Sequence, residues 1–529
     1  MLFSSIVFIW IFLPCVLLGN FILQKAGGNK AANILLLIAS IFFYAWGEPV
    51  YVLLMLFSIA LNWGSGMALG MVQSRAAASS GAAAADTRHA DDKAAAPAEA
   101  GKAEQAAEAG AAKQAEDNKA AALPAPKTAP GAGGILAVCV VLNLALLGYF
   151  KYAGMFVETV NALTGQHFPV PQIALPIGIS FFTFQALSYV IDVYRGECAV
   201  QRNVLKLALY VSFFPQLIAG PIVKYKDISD QIDGRRMSLE KTASGIRRFM
   251  IGFGKKILLA NMLGRCADHI YELTPAYISG GLAWTAALAY TFQIYYDFSG
   301  YSDMAIGLGR MFGFEFRENF MHPYMSGSIK EFWRRWHISL SSWFRDYVYI
   351  PLGGNRKGTA RTYINLFTVF LLTGLWHGAA WNFVFWGVFH GCFLILERVG
   401  FDKVLKKIGP LRYVYAFFVA NIGWVFFRAD NIRLGFQMLK RMFLFWQYPV
   451  NGYSVREFLD NHTLFVLVCA VLGMGILQEI LRRIRIGEKN ALEAWEFSWG
   501  EIIFLGVVMV LSIMSLASST YNPFIYFRF

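Results

Sequence analysis

Charged residues are scarce in this chain of 529 residues, where Asp, Glu, Lys and Arg make up 15% against 57% hydrophobic residues. A soluble globular domain carries about 25% charged residues, so this composition cannot shield its apolar side chains from water. In a lipid bilayer only α-helices and closed β-barrels satisfy their own backbone hydrogen bonds. Because the apolar runs are continuous rather than alternating, the sequence predicts an all-α, multi-pass protein embedded in the lipid bilayer.

Paired cysteines, a signal peptide and a serine-hydrolase motif are also missing. The six cysteines form no C-x-x-C pair, which argues against a disulfide framework and a zinc site. No G-x-S-x-G occurs, so nothing indicates a hydrolase nucleophile elbow. Residues 1–23 have neither a basic leader nor a small-residue cleavage site, and we interpret them as the first membrane span.

The charges that are present are predominantly basic, with 47 Lys and Arg against 34 Asp and Glu and a formal net charge of +13. In a membrane protein this excess is typical of cytoplasmic loops that obey the positive-inside rule. We therefore place the basic stretches 195–256 and 310–361 in the cytoplasm and expect no nucleic acid as a partner.

Composition divides the chain into three parts. Residues 72–134 consist mostly of Ala with Glu, Lys, Asp, Gly and Pro, and they offer no apolar stripe to bury. We predict a disordered cytoplasmic linker there, whose deletion is largely tolerated. It would separate N-terminal transmembrane helices (1–71) from a catalytic transmembrane core (135–529). Eleven or twelve spans are expected in total, with a re-entrant or interfacial segment near 207–222 because Pro and Gly interrupt that apolar run.

Two polar stretches are candidates for donor or substrate binding. Asp297, Ser299 and Asp303 close an apolar helix, and ionisable groups at membrane depth are usually retained for a site or pathway. Helix capping at the interface is the alternative for both carboxylates. Further along, Asn355 and Lys357 lie in a Gly-rich loop whose residue order differs from that of a phosphate loop. We predict a flexible cytoplasmic loop whose charge attracts an anionic cofactor.

The stretch 331–343 predicts one amphipathic helix. Its aromatic residues, including Trp336, would share one face, while Arg334 and Arg335 fall on the other side. A basic amphipathic helix with interfacial tryptophans is typical of a segment lying in the membrane surface. His337 would lie beside the apolar face, where it either lines a site or packs.

His377, preceded by Trp376 and flanked by Gly374 and Gly378, gives the strongest single signal. If a helix begins at Tyr363 on the cytoplasmic face, His377 lies about 21 Å along it, inside a hydrocarbon core of about 30 Å. A lone histidine among apolar residues can be a packed core residue. However, an imidazole with an ordinary pKa near 6.5 is the natural general base at neutral pH, and the Gly-rich break indicates a buried site.

Several of these stretches together resemble the membrane-bound O-acyltransferase family, and particularly its bacterial branch of alginate and peptidoglycan O-acetyltransferase membrane subunits. The resemblance covers essentially all of the chain except 72–134. The matching stretches, in order, are 175–181, 188–195, 214–221, 296–309, 331–340, 352–358, 374–379 and 522–527.

The resemblance implies a ring of tilted helices around a central tunnel in the bacterial inner membrane. It implies His377 as the catalytic residue and His337 as a second important histidine, without a bound cofactor. The donor would be acetyl-CoA from the cytoplasm. The candidates for binding the donor or substrate are Asp297, Ser299, Asp303, Arg334, Arg335, Trp336, Asn355, Lys357 and Trp376. The acceptor would be an exported polysaccharide, reached through a periplasmic or membrane-anchored SGNH-type acetyltransferase. Two histidines without cysteine or paired carboxylates make a poor metal site, so no metal is expected.

Three alternatives remain open from the sequence alone. The closest is D-alanyl transfer to teichoic acid from a carrier protein, which shares the motifs of this branch. A transporter or flippase with a histidine in its conduction path is the non-enzymatic alternative, although buried charge is scarce and no internal repeat is evident. The polymer is also open, whether an alginate-like exopolysaccharide, peptidoglycan or cellulose.

Overall fold

A computed structural model of the chain describes residues 1–88, 129–484 and 498–525. Helices account for nearly all of the regular structure in these ranges, which contain no β-strand. The prediction of an all-α polytopic protein is therefore confirmed.

The helices form two groups along the chain. The first group is α1 (Leu13–Ala45, preceded by a π-helical turn at Phe8–Phe12), α2 (Tyr51–Arg88), α3 (Ala132–Thr164), α4 (Ile179–Arg195), α5 (Val204–Ser212), α6 (Phe214–Leu217), α7 (Tyr225–Gly234), α8 (Leu239–Gly254, continued by a π-helical turn at Lys255–Ala260), α9 (Asn261–Tyr271) and α10 (Gly280–Met311).

The second group completes the described chain. It is α11 (Ile329–Arg335), α12 (Ile338–Phe344, continued by a π-helical turn at Arg345–Tyr349), α13 (Thr359–His377), α14 (Trp381–Leu396), α15 (Asp402–Lys407), α16 (Leu411–Arg428), α17 (Ile432–Phe443), α18 (Val455–Phe458), α19 (Asn461–Val471), α20 (Leu477–Ile484) and α21 (Trp499–Ser518).

Six helices in the described part of the chain are long and apolar enough to cross a membrane. They are Phe8–Ala45, Tyr51–Ala76, Ala132–Thr164, Trp381–Lys407, Asn461–Ile480 and Trp499–Ser518. The predicted spans near 282–298, 363–377 and 412–428 form α10, α13 and α16, and most of α10 is buried by other helices. The total of eleven or twelve spans stays a prediction.

The first of these six helices is a hairpin. The chain reverses at Gly28, whose φ of 66° lies in the left-handed region that favours glycine. The rings of Phe12 and Phe43, one from each limb, lie 5.7 Å apart. The two limbs therefore pack antiparallel, as expected for two spans joined by a short loop.

The predicted linker and the predicted broken segment have different outcomes. The helix α2 continues to Arg88 and α3 begins at Ala132, but residues 89–128 lie outside the described ranges, so the domain division stays a prediction. The predicted break in 207–222 is confirmed, whereas its re-entrant or interfacial position stays a prediction. Helix α5 ends at Ser212, α6 contains only four residues, and the buried chain that follows it to residue 224 is not helical.

Glycines bring α8 and α10 into close contact at the centre of the molecule. A Cβ added at Gly252 would lie 2.5 Å from the carbonyl oxygen of Gly300. One at Gly245 would lie 2.5 Å from the carbonyl oxygen of Gly307. Gly245 and Gly252 are seven residues, or about two turns, apart on α8, and so are Gly300 and Gly307 on α10. The two backbones therefore touch at two points that lie two turns apart. This antiparallel pair forms a rigid frame for the elements that carry the site.

Candidate active site

The structure brings the two predicted histidines together in the protein interior. His377 is the last residue of α13, and His337 lies between α11 and α12. The centroids of their imidazole rings are 6.5 Å apart, and the side chains are only 6% and 0% exposed. The Trp376 ring lies 6.1 Å from the ring of His337 and 4.9 Å from that of His377. A reacting group between the histidines would thus be shielded from water. Their catalytic role stays a prediction.

His337 occupies a sharp break in the backbone, and the prediction of one continuous helix over 331–343 is wrong. Trp336 is extended, with φ −100° and ψ 128°, and His337 has a φ of 44°, a left-handed conformation that is rare for residues other than glycine. Strained conformations of this kind persist only where surrounding contacts impose them, and they cluster at functional sites. The imidazole that this break carries is fully buried.

The aromatic face of this segment is buried by protein instead of lying on the membrane surface. Trp336 is 2% exposed and Trp333 is 7% exposed. The rings of Trp336 and Trp424 lie 4.8 Å apart, and that of Trp333 lies 5.5 Å from Trp386. The spacing of the aromatic residues correctly indicated an apolar face, but helices from later in the chain cover it.

Asn319 holds His337 through a buried hydrogen-bond network. Its Oδ1 lies 3.2 Å from Nδ1 of His337 and accepts hydrogen bonds from the backbone N–H (3.1 Å) and Oγ (2.9 Å) of Ser339. Its Nδ2 donates to Oγ of Ser302 at 3.0 Å. The backbone N–H of Ile338 donates to the Asn319 carbonyl oxygen, also at 3.0 Å. The Nε2 of His337 has no hydrogen-bond partner among the described residues.

Close packing of α13 against α14 places His377. A Cβ at Gly374 would lie 2.4 Å from the carbonyl oxygen of Phe383, and one at Gly378 would lie 2.2 Å from the ring of that phenylalanine. Gly378 is extended with a φ of −161°, so these glycines permit close approach rather than unusual backbone angles. Beyond the turn, the Trp386 ring lies 5.1 Å from that of His377.

Two residues of α3 that sequence reasoning missed hold the end of α13. The ammonium group of Lys151 donates to the carbonyl oxygens of Trp376 (2.5 Å) and His377 (3.2 Å). The hydroxyl of Tyr152 donates to the carbonyl oxygen of Leu375 at 2.6 Å. The sequence did contain a signal for Lys151. It lies inside the apolar stretch 132–164, where a charged side chain is costly and is usually kept for a function.

A large cavity ends near the two histidines, at Trp376. It has a volume of about 1880 Å³ and lies between α3, α4, the segment 343–351 and α13. Tyr152 and Trp376 line one end, and Arg195, Lys226 and Asp346 line the other. The α4 residues that face it run from position 184 to position 195, which corresponds to about 16 Å of helix. The walls between are mainly aliphatic and aromatic, so the cavity joins a charged mouth to the neighbourhood of His377.

Ion pairs organise the charged mouth. Arg195 lies 3.7 Å from Glu197, and Lys224 lies 2.5 Å from Asp346. Burial alone would raise the pKa of Asp346, but hydrogen bonds from Arg345 and Lys224 outweigh it and hold that pKa below its ordinary value. Asp346 therefore remains a carboxylate at neutral pH. The mouth is a fixed arrangement of opposite charges and not a uniformly basic patch.

The loop that leaves the mouth carries exposed cations. Ile350 and Pro351 line the cavity, and the chain continues through the exposed residues Asn355 and Lys357. No acidic residue occurs in 347–361. Of the predicted donor-binding residues, Asn355 and Lys357 thus lie in a basic loop next to the mouth, and Trp376 lines the inner end.

The three predicted residues of α10 lie away from the cavity, and ion pairs engage both carboxylates. Asp297 forms a buried pair with Lys256 at 2.7 Å. Asp303 pairs with Lys255 at 2.7 Å and with Arg248 at 2.9 Å. Ser299 is buried on the same helix. These contacts tie α10 to α8 and its π-helical continuation.

Neither basic residue of α11 lines the cavity. Arg334 is exposed, and Arg335 pairs with Glu331 at 2.7 Å. The cavity is lined instead by cations from the segments around 195 and 226. These are distant in sequence from the motif that suggested Arg334 and Arg335, so only the folded chain could identify them.

Comparison with known proteins identifies a family and two groups of relatives. The model of the membrane-bound O-acyltransferase family matches residues 199–428. Over the full length of both chains, the sequence is 39% identical to a Pseudomonas putida protein described as a probable alginate O-acetylase. It is 31% identical to the peptidoglycan O-acetyltransferase of Helicobacter pylori, over 100% of this chain and 98% of that protein.

A second group of relatives is similar over a shorter region. The teichoic acid D-alanyltransferase of Bacillus subtilis is 29% identical over 46% of this chain and 63% of that protein. The two O-acetylating relatives match the whole chain, whereas this one matches less than half of it.

Proposed function

This chain belongs to the membrane-bound O-acyltransferase family, and we propose that it moves acetyl from cytoplasmic acetyl-CoA across the bacterial inner membrane for O-acetylation of an exported polysaccharide. Family membership makes it a membrane-bound acyltransferase, so the transporter alternative is no longer needed. The observation that carries the proposal is a cavity that runs from a charged mouth to Trp376, whose ring lies within 6.1 Å of the rings of both buried histidines.

The cavity suits a long donor with a charged head and a small acyl end. Its inner end at Tyr152 and Trp376 would receive the thioester, and its apolar walls would exclude water that could hydrolyse it. The basic loop with Lys357 would attract the phosphates, whereas Arg195 and Lys226 at the mouth are already paired with Glu197. Sequence analysis places this side in the cytoplasm, where acetyl-CoA is made.

The proposed chemistry assigns His377 as the general base. An acceptor hydroxyl oxygen attacks the thioester carbonyl carbon while the imidazole takes the hydroxyl proton. The carbon–sulfur bond then breaks, and the departing thiolate takes up that proton, so the products are an acetyl ester and CoA. His337, whose ring centroid is 6.5 Å away, would help to position the acceptor by accepting a hydrogen bond from a neighbouring hydroxyl group of it.

The similarity to O-acetylases over the whole chain supports an exported polysaccharide as the final acceptor. We propose an alginate-like exopolysaccharide or peptidoglycan before cellulose, because the two full-length relatives described above are named for the first two. Acetyl would leave on the outer side, through an SGNH-type acetyltransferase in the periplasm or anchored to the membrane.

The test is release or transfer of radiolabelled acetyl from acetyl-CoA by the purified protein in nanodiscs, with wild type beside His377→Ala. Loss of a general base costs about a hundredfold to ten-thousandfold in rate, so turnover should fall to background. His167→Ala, an exposed histidine in the loop after α3, is the matched control and should keep wild-type activity.

Three outcomes would contradict parts of the proposal. Activity that survives in His377→Ala would remove His377 as the base. Turnover of a D-alanyl carrier protein but not of acetyl-CoA would replace acetyl transfer by D-alanyl transfer, the activity named for the partial relatives. If neither donor is consumed even with an SGNH-type partner added, the donor assignment is wrong.

A further inference from the structure

We propose that Lys151 is a positioning residue that fixes the catalytic end of α13, with Tyr152 as its partner. This inference rests on the proposed function, because it concerns the placement of His377. Neither residue belongs to the stretches that carry the family resemblance. Both come from the middle of α3, more than 200 residues before His377 in the chain.

The argument begins with the four carbonyl groups that every α-helix leaves without an intrahelical partner at its C-terminus. In α13 these belong to the residues 374–377. The carbonyl oxygen of Gly374 accepts one long hydrogen bond, 3.4 Å, from the N–H of Gly378. The other three accept their bonds from Lys151 and Tyr152, at 2.6 Å for Leu375, 2.5 Å for Trp376 and 3.2 Å for His377. Two consecutive residues of another helix therefore cap this end.

The location makes these bonds important. In the interior of a membrane protein a carbonyl group without a partner is energetically unfavourable, because no water replaces the missing donor. An ammonium group there is also expensive unless it is well solvated by protein oxygens. Lys151 directs its ammonium to the two carbonyl oxygens and to Oγ of Ser180 at 3.3 Å. No salt bridge to a carboxylate is found for it within the described residues.

The positive charge of Lys151 also suits its position at the C-terminal end of α13. The C-terminal end of a helix carries a partial negative charge, which a cation stabilises. The ammonium group lies 6.0 Å from the centroid of the Trp376 ring, the residue that lines the inner end of the cavity. Lys151 thus connects the wall of the cavity to the turn that carries His377.

The consequence is a defined effect on catalysis. Without the cap, three buried carbonyl groups at the end of α13 would lose the donors described above, and the last turn would be held less firmly. A displacement of about 1 Å at a reacting group can cost about a hundredfold in rate. Donor binding depends on the rest of the cavity and should change little. Loss of Lys151 should therefore lower kcat and leave the KM for the donor nearly unchanged.

The experiment compares Lys151→Met, Lys151→Gln and Lys151→Arg in nanodiscs. Met removes every donor, Gln keeps a neutral donor, and Arg keeps both donors and charge. We expect kcat to fall about tenfold to a hundredfold in Lys151→Met, with partial recovery in the other two. Hydrogen–deuterium exchange of a peptide covering 370–380 should be faster in Lys151→Met than in wild type, whichever donor the enzyme uses.

Tyr152→Phe and Lys403→Met complete the set. Tyr152→Phe removes a single carbonyl bond and should reduce kcat less than Lys151→Met does. Lys403→Met changes an exposed lysine of α15 and should match wild type in both measurements.

The results separate this inference from the proposed function. If wild type consumes acetyl-CoA and Lys151→Met does so equally well with unchanged exchange, the positioning role is wrong and the proposed function stands. A raised KM with unchanged kcat would make Lys151 a donor-binding residue and overturn the inference. If wild type consumes no acetyl-CoA, the exchange measurement decides alone, and unchanged exchange at 370–380 would refute the cap.

Discussion

At the scale of single residues, Asn319 determines which ring nitrogen of His337 can take a proton. The backbone N–H of Ser339 is a donor only, so the Asn319 atom that faces it must be the carbonyl oxygen. That same oxygen faces Nδ1 of His337, which must therefore carry the hydrogen. The neutral imidazole is then left with a lone pair on Nε2, the atom without a partner among the described residues.

This geometry gives a prediction for Asn319. Replacing it in Asn319→Leu removes the acceptor for Nδ1 and should lower kcat, by less than the factor of about a hundred or more expected for loss of the general base itself. Asn319→Asp keeps an acceptor at the same place and should retain more activity. Acetyl-CoA turnover in nanodiscs is the measurement.

Ser302→Ala is the control for Asn319. It removes only the partner of Nδ2 and leaves the contact with His337 in place. We expect only a small change in kcat for Ser302→Ala. Wild-type activity in Asn319→Leu would show that the tautomer of His337 does not matter to the reaction.

At the scale of elements, close helix pairs set the geometry around the site. The contact of Gly252 with Gly300 leaves no space for a side chain, because each Cβ would lie within 2.7 Å of the opposite carbonyl oxygen. Small residues at such crossings allow the backbones to pack in a membrane, where apolar side chains gain nothing by leaving lipid.

Gly252→Val should therefore destabilise the protein. The isopropyl group would force α8 away from α10, and we expect a clear fall in the temperature at which the detergent-solubilised protein loses its monodisperse peak. Gly506→Val is the matched control, since nothing lies within 4 Å of the Cβ position at this glycine of α21. Equal melting of both variants would mean that the α8–α10 contact is not a tight one.

The break between α11 and α12 shows a limit of periodicity at this scale. The spacing of aromatic residues over 331–343 fits one helix, and nothing local opposes it. The turn at His337 depends on the hydrogen bond from the N–H of Ile338 to Asn319 and on the covering of Trp336 by α16. Both partners come from other segments, so the sequence pattern could not reveal the break.

At the scale of the whole molecule, the two ends of the chain meet. Ser4 lies 3.0 Å from Nδ2 of Asn522, and the N–H of Ile525 donates to the Asp297 carboxylate at 2.8 Å. Lys256 pairs with Asp297 and also donates to the carbonyl oxygen of Pro523. The C-terminal segment is thus held in the core by a buried ion pair whose members come from the π-helical turn after α8 and from α10.

Breaking the ion pair of Lys256 and Asp297 should lower the stability of the protein. Lys256→Met leaves the Asp297 charge buried without its cation, a change worth about 3–5 kcal/mol in other proteins. We expect a marked loss of thermal stability in detergent. The double variant Lys256→Met with Asp297→Leu should regain part of the loss, because no lone charge remains buried.

The more exposed pair of Lys206 and Asp233, 2.5 Å apart, provides the comparison. Surface pairs contribute about 0–1 kcal/mol, so Lys206→Met should change stability little. Similar effects at the buried and exposed pairs would contradict a structural role for Asp297 in joining the ends of the chain.

Composition and continuous apolar runs are local properties, so the amino-acid sequence was enough to predict that this protein lies in lipid and is helical. It also located His377 at the end of a helix beside a Gly-rich turn, since those signals lie within seven residues. The contribution of Lys151, the neighbours of Asp297 and the distance between the two histidines depend on segments that are far apart in the chain. These three features appear only in the folded chain, because contacts between distant segments arise from packing and leave no pattern in either segment alone.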